Sequence, residues 1–272
     1  MPLGIDLFCG LGGWTEGLLS EGYDVVGFDN ERHVYGDQRY PAQLVLQDVL
    51  TIHGSQFRNA ALIVASPPCQ AYSYMAMPWK RGKAMTAAIR DDQTGRKLDA
   101  LNALFNACFR IQREAIAATA MDCPACGGKG FMIWYVGECH PCERCGGAGY
   151  LTRHIPMVVE NVKGAQPWVG KAAWHYGSFY LWGDVPVLMP STLKVQKFKN
   201  SGGSWFAKAH NTESGHSQNP VRGEGVKQHG SGPAWFDKAL DERRRESGRK
   251  AASAQIAKIP FEPARWIAYC YR

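Results

Sequence analysis

The sequence predicts an α/β protein: a parallel sheet covered by helices, with a small cysteine-rich insert and a loop-rich basic stretch. Three observations predict it. Short apolar runs, partly β-branched, recur at residues 3–8, 23–28, 42–46, 60–65 and 156–159, separated by helical periodicity or long connections. Within two residues each run meets glycine, proline or an acid, the residues that punctuate strand ends. A Cys-x-x-Cys-Gly-Gly-x-Gly unit occurs twice, at 123–130 and 142–149. With 272 residues, 45% of them hydrophobic, the chain can build one sizeable core and a small extra module.

The first strand, 3–8, is followed at once by Cys9-Gly10-Leu11-Gly12-Gly13 and then by a helical pattern over 14–21, with Trp14, Leu18 and Leu19 on one side. A glycine-rich turn between strand and helix lets the backbone approach a ligand and aims helix N-terminal amides at it. The second strand, 23–28, ends in Asp29, nineteen residues after Gly10. At about that spacing a carboxylate meets the hydroxyls of a cofactor ribose. The third strand, 42–46, leads to Asp48, which alternatively caps the segment beginning at Val49. Strand, glycine turn, helix, strand and acid in this order point to an adenosine-containing cofactor.

The fourth strand, 60–65, runs into Ser66-Pro67-Pro68-Cys69-Gln70. Two prolines end the ladder and fix the backbone, so Cys69 stands just past a strand end, where ligands collect in open α/β sheets. Cys69 is therefore the candidate nucleophile. Cys9, inside the glycine turn, and Cys108, on the apolar side of a helix, read as packing residues, and Cys270 carries no signal. Residues 76–96 read as a mobile basic loop. Residues 97–120 read as a helix with Leu98, Leu101, Leu104, Phe105, Cys108 and Ile111 on its apolar side. The run 156–159 ends in Glu160-Asn161-Val162, where Glu160 taken alone reads as a helix-start or loop acid. The aromatics of 165–189 (Trp168, Trp174, Tyr176, Phe179, Tyr180, Trp182) read mostly as core.

The cysteine repeat defines a second module. Each Cys-x-x-Cys turn presents two thiolates to one metal, and two such turns make the tetrahedral four-sulfur site that structural zinc prefers. The ligand set is Cys123, Cys126, Cys142 and Cys145, although Cys139 with Cys142 is another valid pair and His140 lies beside it. Disulfides are the poorer alternative in a cytosolic protein. The repeats resemble the zinc-binding repeats of J-type chaperones over about thirty residues.

Taken together, the motifs resemble those of the DNA (cytosine-5) methyltransferases. Asp6-Leu7-Phe8-Cys9-Gly10-Leu11-Gly12-Gly13 is similar to the family's S-adenosylmethionine loop, Pro67-Pro68-Cys69-Gln70 to its catalytic Pro-Cys-Gln element, and Glu160-Asn161-Val162 to its Glu-Asn-Val motif. The segment from Ala257-Lys258-Ile259-Pro260-Phe261 to Ala268 resembles the last motif, which folds back on the cofactor site. The resemblance implies a Rossmann-like methyltransferase sheet and transfer of a methyl group from S-adenosylmethionine to C5 of a flipped-out cytosine through a covalent Cys69–C6 adduct. It implies that Glu160 meets N3 and the exocyclic amine, and that Asn161 holds the neighbouring backbone and the loop carrying Cys69. Phe8, Gly10, Gly12, Gly13, Asp29, Asn30, Asp48 and Pro67 would line the cofactor pocket, with Asp29 on the ribose and Asp48 on the adenine amine.

Charge places the other partner. Residues 190–258 hold 13 Lys and Arg against 6 Asp and Glu, a surplus equal to the whole net charge of +7. That suits a surface facing phosphates, and for Arg243-Arg244-Arg245 a solvated helix face is an equal alternative. The expected partner is double-stranded DNA, met by Gln70, Ser73, Lys80 and Arg81 near the nucleophile and by Ser201, Gly202 and Gly203 in a groove-contacting loop. The expected organisation is a catalytic core at 1–121, 154–189 and 254–272, a zinc module at 122–153, and target recognition at 190–253. No basic-plus-apolar leader precedes residue 3 and no eighteen-residue apolar run occurs. The expectation is a monomeric cytoplasmic enzyme of bacterial or phage origin, with no membrane association.

Three departures from the family stand out. Its Gln-x-Arg-x-Arg motif is missing, with Gln196-Lys197-Phe198-Lys199 at best a remnant. Asn30 follows Asp29 where a bulky apolar residue is usual, and the Gly-Asn of the last motif is missing near Ala254-Gln255. They leave open a catalytically impaired DNA-binding or decoy protein, an RNA cytosine-5 methyltransferase, or transfer of a group larger than methyl.

Overall fold

The computed structural model describes residues 1–35, 37–72, 79–133, 139–189, 254 and 257–272. Its centre is a seven-stranded sheet made of β1 (Leu3–Leu7), β2 (Asp24–Asp29), β5 (Gln43–Leu46), β6 (Leu62–Ala65), β11 (Met157–Asn161), β12 (Trp174–Tyr176) and β13 (Phe179–Gly183). The spatial order is β12-β13-β11-β6-β1-β2-β5. Five neighbours, from β11 to β5, pair in parallel, and only β13 runs against the rest. The α/β fold class and its parallel-rich sheet are as read from the sequence.

Alternation along the strands builds a three-layer sandwich. Ile5, Leu7, Ile63, Ala65, Met157 and Val159 face one side with Phe105, Cys108, Ile111 and Ala115 of α3 (Arg96–Ala117). Leu62, Val64 and Val158 face the other side with Trp14 and Leu18 of α1 (Gly13–Ser20) and Ala264, Ile267 and Ala268 of α5 (Phe261–Cys270). Strands buried on both faces need apolar residues at every position, which is why these runs read as continuous rather than alternating. α5 and α1 cross closely, since a Cβ on Gly17 would lie 2.5 Å from the Arg265 amide nitrogen. Tyr23 adds a hydrogen bond from its hydroxyl to the Ala268 carbonyl at 3.0 Å.

One expectation is corrected. Residues 76–96 are not wholly loop, because α2 spans Trp79–Arg90. Lysine, arginine, alanine and methionine are strong helix formers, and Ile89 anchors the helix by burial. The strand after the insert ends in Glu160 and Asn161, the last two residues of β11. Of the six aromatics between 165 and 189, Trp182 is buried and stacks edge-on against Phe105, and the other five are half-buried.

The cysteine module interrupts the crossover from α3 to β11. Its neck pairs β7 (Met121–Asp122) with β10 (Tyr150–Leu151), and its ribbon pairs β8 (Phe131–Ile133) with β9 (Cys139–Pro141). Arg153, just past the neck, donates to the carbonyls of Arg58 and Ala60, immediately before β6. The module therefore hangs from the amino ends of the strands. Small antiparallel pairing of β3 (Val34–Tyr35) with β4 (Gln38–Arg39), a short α4 (Gln166–Val169) and three 3-10 turns (Val49–Thr51, Gly54–Phe57 and Lys163–Ala165) complete the described elements.

Candidate active site

Strand order fixes where a site can form. From β1 the chain moves outward to β2 and β5, then returns to lay β6 on the other side of β1. That reversal opens a crevice at the carboxyl ends of β1 and β6, the place where open α/β sheets bind ligands. The loops that emerge there are residues 8–13 and 66–72. The carboxyl ends of β2, β5 and β11 flank them, so Phe8, Gly10, Gly12, Gly13, Asp29, Asn30, Asp48, Pro67, Cys69, Gln70, Glu160 and Asn161 all lie at one end of the sheet.

The glycine loop is held in a special conformation. Phe8 has φ 56, a left-handed value that costs a non-glycine residue about 1–2 kcal/mol and collects at functional sites. Gly10 follows with φ 50, and among the described residues nothing lies within 4 Å of where its Cβ would stand. Its amide donates to Asp29 Oδ2 at 2.9 Å, while the Glu31 amide donates to Oδ1 at 3.1 Å. Each Asp29 oxygen keeps a lone pair for a hydroxyl donor. No side chain caps the N-terminus of α1, leaving its first amides to the loop. Ile259 lies against Gly13, closing the loop from the C-terminal segment. An adenosine-bearing cofactor fits this donor set. Asn30 is exposed, and exposed Asp48 caps the turn after it, accepting from the Leu50 amide at 2.9 Å.

Beneath the loop lies a network that sequence patterns miss. Thr15 donates to Asp6 Oδ2 at 2.7 Å, and the Tyr40 hydroxyl donates to Thr15 Oγ1 at 2.6 Å. Tyr40 fits because β2 offers Gly27: a Cβ there would lie 2.3 Å from the Tyr40 ring. Asp6 is buried, and its Oδ1 has no partner among the described residues. Burial chiefly, with the charge of Asp29 adding, pushes Asp6 up to about 8 against the opposing Thr15 hydrogen bond. An acid in the middle of a buried strand was the available signal.

Beyond β6, Cys69 is half-exposed past the Pro67-Pro68 pair, and its carbonyl accepts from the Tyr72 amide at 3.0 Å. Cys9 is its opposite: burial drives that thiol far above the ordinary range, so it stays neutral. Cys108 is pushed to about 12 by the same cause. Asn161 reaches from β11 to the loop, donating Nδ2 to the Pro67 carbonyl at 2.9 Å and accepting from the Val162 amide. Glu160 is buried at the end of β11. Desolvation raises its carboxyl to about 8, opposed by a hydrogen bond from Ser66. At neutral pH it is mostly a neutral acid, able to donate to a ring nitrogen. Ser66 also accepts from Trp14 Nε1 at 3.0 Å. Both residues were missed, because nothing local in the sequence ties an indole to a serine 52 positions away.

Of the residues expected to meet DNA, Gln70 is exposed beside Cys69, and Lys80 and Arg81 stand in the first turn of α2. Ser73, Ser201, Gly202 and Gly203 lie outside the described residues, as does the whole of 190–253.

The cysteine cluster stands apart from this crevice. The sulfurs of Cys123, Cys126, Cys142 and Cys145 all lie within 4.8 Å of one another, with 3.8 Å between Cys123 and Cys142 and between Cys126 and Cys145. A tetrahedral metal with bonds of about 2.3 Å requires sulfur separations of about 3.8 Å. The Gly130 amide donates to Cys126 Sγ and the Gly149 amide to Cys145 Sγ, at 3.3 and 3.2 Å. Both glycines have positive φ, and a Cβ on either would strike a carbonyl of the other repeat. Cys139 and His140 lie in exposed β9, outside the cluster.

Residues 4–88 match the sequence pattern of the family described as C-5 cytosine-specific DNA methylase. The resemblance seen in the motifs holds over that span, which includes the glycine loop, Asp29, Asp48 and Cys69. No curated protein sequence matches the chain. Among solved structures the chain is similar to one described as a DNA modification methyltransferase encoded within an E. coli prophage (18% identity, TM-score 0.31, 61% of this chain and 33% of that one). It is also similar to a mutant of DNMT2 from Spodoptera frugiperda (14%, 0.31, 62% and 38%) and to the Entamoeba histolytica methyltransferase EhMeth (15%, 0.27, 62% and 40%). The chain thus spans 33% to 40% of the length of these proteins.

Proposed function

We propose that this chain, whose residues 4–88 carry the C-5 cytosine-specific DNA methylase pattern, methylates C5 of a flipped-out cytosine in double-stranded DNA. The observation that carries the reading is that a half-exposed cysteine and a buried glutamate stand at or just past the ends of adjacent strands, β6 and β11. S-adenosylmethionine, held by the loop 8–13 and by Asp29 with Asn30, Asp48 and Pro67 beside it, supplies an electrophilic methyl group.

The chain's own residues do the rest. Cytosine C5 is too weak a nucleophile to accept a methyl group unaided. The Cys69 thiolate adds to C6, forming an S–C6 bond, while the Glu160 carboxyl donates to N3 and so offsets the negative charge entering the ring. The ring is then an enamine, nucleophilic at C5. After alkylation the C5 proton leaves to water, its bonding pair forms the C5–C6 double bond as the S–C6 pair returns to sulfur, and the N3 proton goes back to Glu160. Asn161, through Pro67, holds the Cys69 loop against β11 so that nucleophile and acid keep their spacing.

Supporting DNA as substrate are the family pattern and the basic surplus of residues 190–258. The four-sulfur cluster is proposed to hold structural zinc, all four positions being filled by protein. Among the described residues no helix is long and apolar enough to cross a membrane. The test is trapping. Duplex DNA containing 5-fluorocytosine, which cannot lose a C5 proton, should form a denaturation-stable adduct with the wild-type chain in the presence of S-adenosylmethionine. Absence of an adduct under conditions where the cofactor binds would overturn the mechanism.

A further inference from the structure

Trp14, Ser66 and Glu160 come from three elements and form one chain of hydrogen bonds. The Trp14 indole, 2% exposed in the first turn of α1, donates Nε1–H to Ser66 Oγ at 3.0 Å. Ala65 of β6 is paired with Val159 of β11, so the parallel register sets the next residues, Ser66 and Glu160, side by side, and the Ser66 hydroxyl bonds the carboxyl. The direction follows from chemistry. An indole N–H can only donate and a carboxylate can only accept, so with Glu160 ionised the serine proton goes to it.

Both sides of Ser66 are anchored. Its amide donates to the Leu7 carbonyl at 3.1 Å, and the carbonyl of the next residue, Pro67, accepts from Asn161. Trp14 follows Gly12 and Gly13 directly, so the relay begins in the turn that would hold the cofactor.

We propose that Trp14 and Ser66 are positioning residues that orient the Glu160 carboxyl and set its proton affinity from the glycine loop. This rests on the reading of Glu160 as the group that meets the base. The surroundings leave the relay little competition. Leu181 faces Glu160 from β13, Trp14 packs from α1, and among the described residues no charged side chain contributes to its proton affinity. Burial alone favours the neutral acid, and the relay's hydroxyl is the opposing contact. Without it the carboxyl would hold its proton to higher pH and lose one of the contacts that fix its orientation.

The experiment is a carboxyl-carbon NMR titration of Glu160 in the full chain labelled with 13C-glutamate, assigned by Glu160→Gln, with melting temperature recorded for each variant. Ser66→Ala should move the Glu160 midpoint upward by about one pH unit. Trp14→Phe should move it the same way by less, because the indole polarises the serine hydroxyl. Ser66→Thr, which keeps the hydroxyl, should leave it near the wild-type value. In an active enzyme the alkaline limb of kcat should move in step. A folded Ser66→Ala with an unmoved midpoint would overturn the relay, as would a Trp14→Phe midpoint identical to wild type. A shift as expected in a chain that methylates no cytosine would leave the relay standing and remove the functional reading instead.

Discussion

Removing the metal should unfold the cysteine module and leave the sheet folded. Among the described residues of the module the buried side chains are those of Cys123, Cys126 and Cys142, with Cys145 and Leu151 packed against them. So small a cluster needs a staple. The 3.8 Å sulfur separations match zinc–sulfur bonds of about 2.3 Å, and a structural zinc in such a site contributes about 10–16 kcal/mol at neutral pH. Arg153 ties the neck to the core through the Arg58 and Ala60 carbonyls and through two hydrogen bonds with Thr119. At about 1 kcal/mol each, their loss should cost the core about 2–4 kcal/mol, a drop of roughly 5–15 °C in melting temperature. The assay is native mass spectrometry for one bound zinc, then limited proteolysis and calorimetry with and without chelator or the Cys126→Ser change. Cleavage confined to the module, with a modestly lowered core transition, is expected. A metal-free chain whose module resists protease would refute the reasoning, and so would collapse of the whole protein at the same chelator step.

Other expectations follow from single contacts. Gly27→Ala places a methyl group 2.3 Å from the Tyr40 ring and should destabilise the protein by about 1–3 kcal/mol in denaturant melts, with rescue by Tyr40→Ala if the clash is the cause. Asp6 and Glu160 both bind protons more tightly folded than unfolded, so their stabilisation is complete below the ordinary carboxylate range and is lost as pH rises to about 8. Unfolding free energy should therefore fall between pH 5 and 8, by up to about 1.4 kcal/mol per unit for each group, and Asp6→Asn should flatten that slope. Asn161→Ala should cost about 1–3 kcal/mol by stranding the Pro67 carbonyl, and should lower kcat more than it weakens cofactor binding measured by calorimetry.

The parts of this protein legible in its sequence are those whose cause is local. Gly10, Asp29, Asp48 and the Pro67-Pro68-Cys69 corner announce themselves because strand ends are marked by residues that break a ladder. The cysteine repeat is equally local, two thiols per turn and nineteen residues apart. Contacts set by packing were not legible. Tyr40 reaches Thr15 only because Gly27 leaves room, and Trp14 reaches Ser66 only because α1 and β6 lie side by side. α2 was hidden by its charge and glycine, which look like a loop until Ile89 is seen buried. Placement of the cysteine module at the amino ends of the strands, away from the crevice, is a property of sheet topology and not of the repeat itself.

Cys69 is the residue on which the functional reading turns. Nucleoside mass spectrometry of duplex DNA incubated with S-adenosylmethionine and the purified chain, beside Cys69→Ala, tests it most directly. The expected result is 5-methylcytosine with the wild-type chain and none with the variant, while both bind the cofactor with similar affinity. 5-Methylcytosine made by Cys69→Ala would contradict the assignment of the nucleophile, and no modified base from a folded, cofactor-binding wild type on varied duplexes would contradict the function itself.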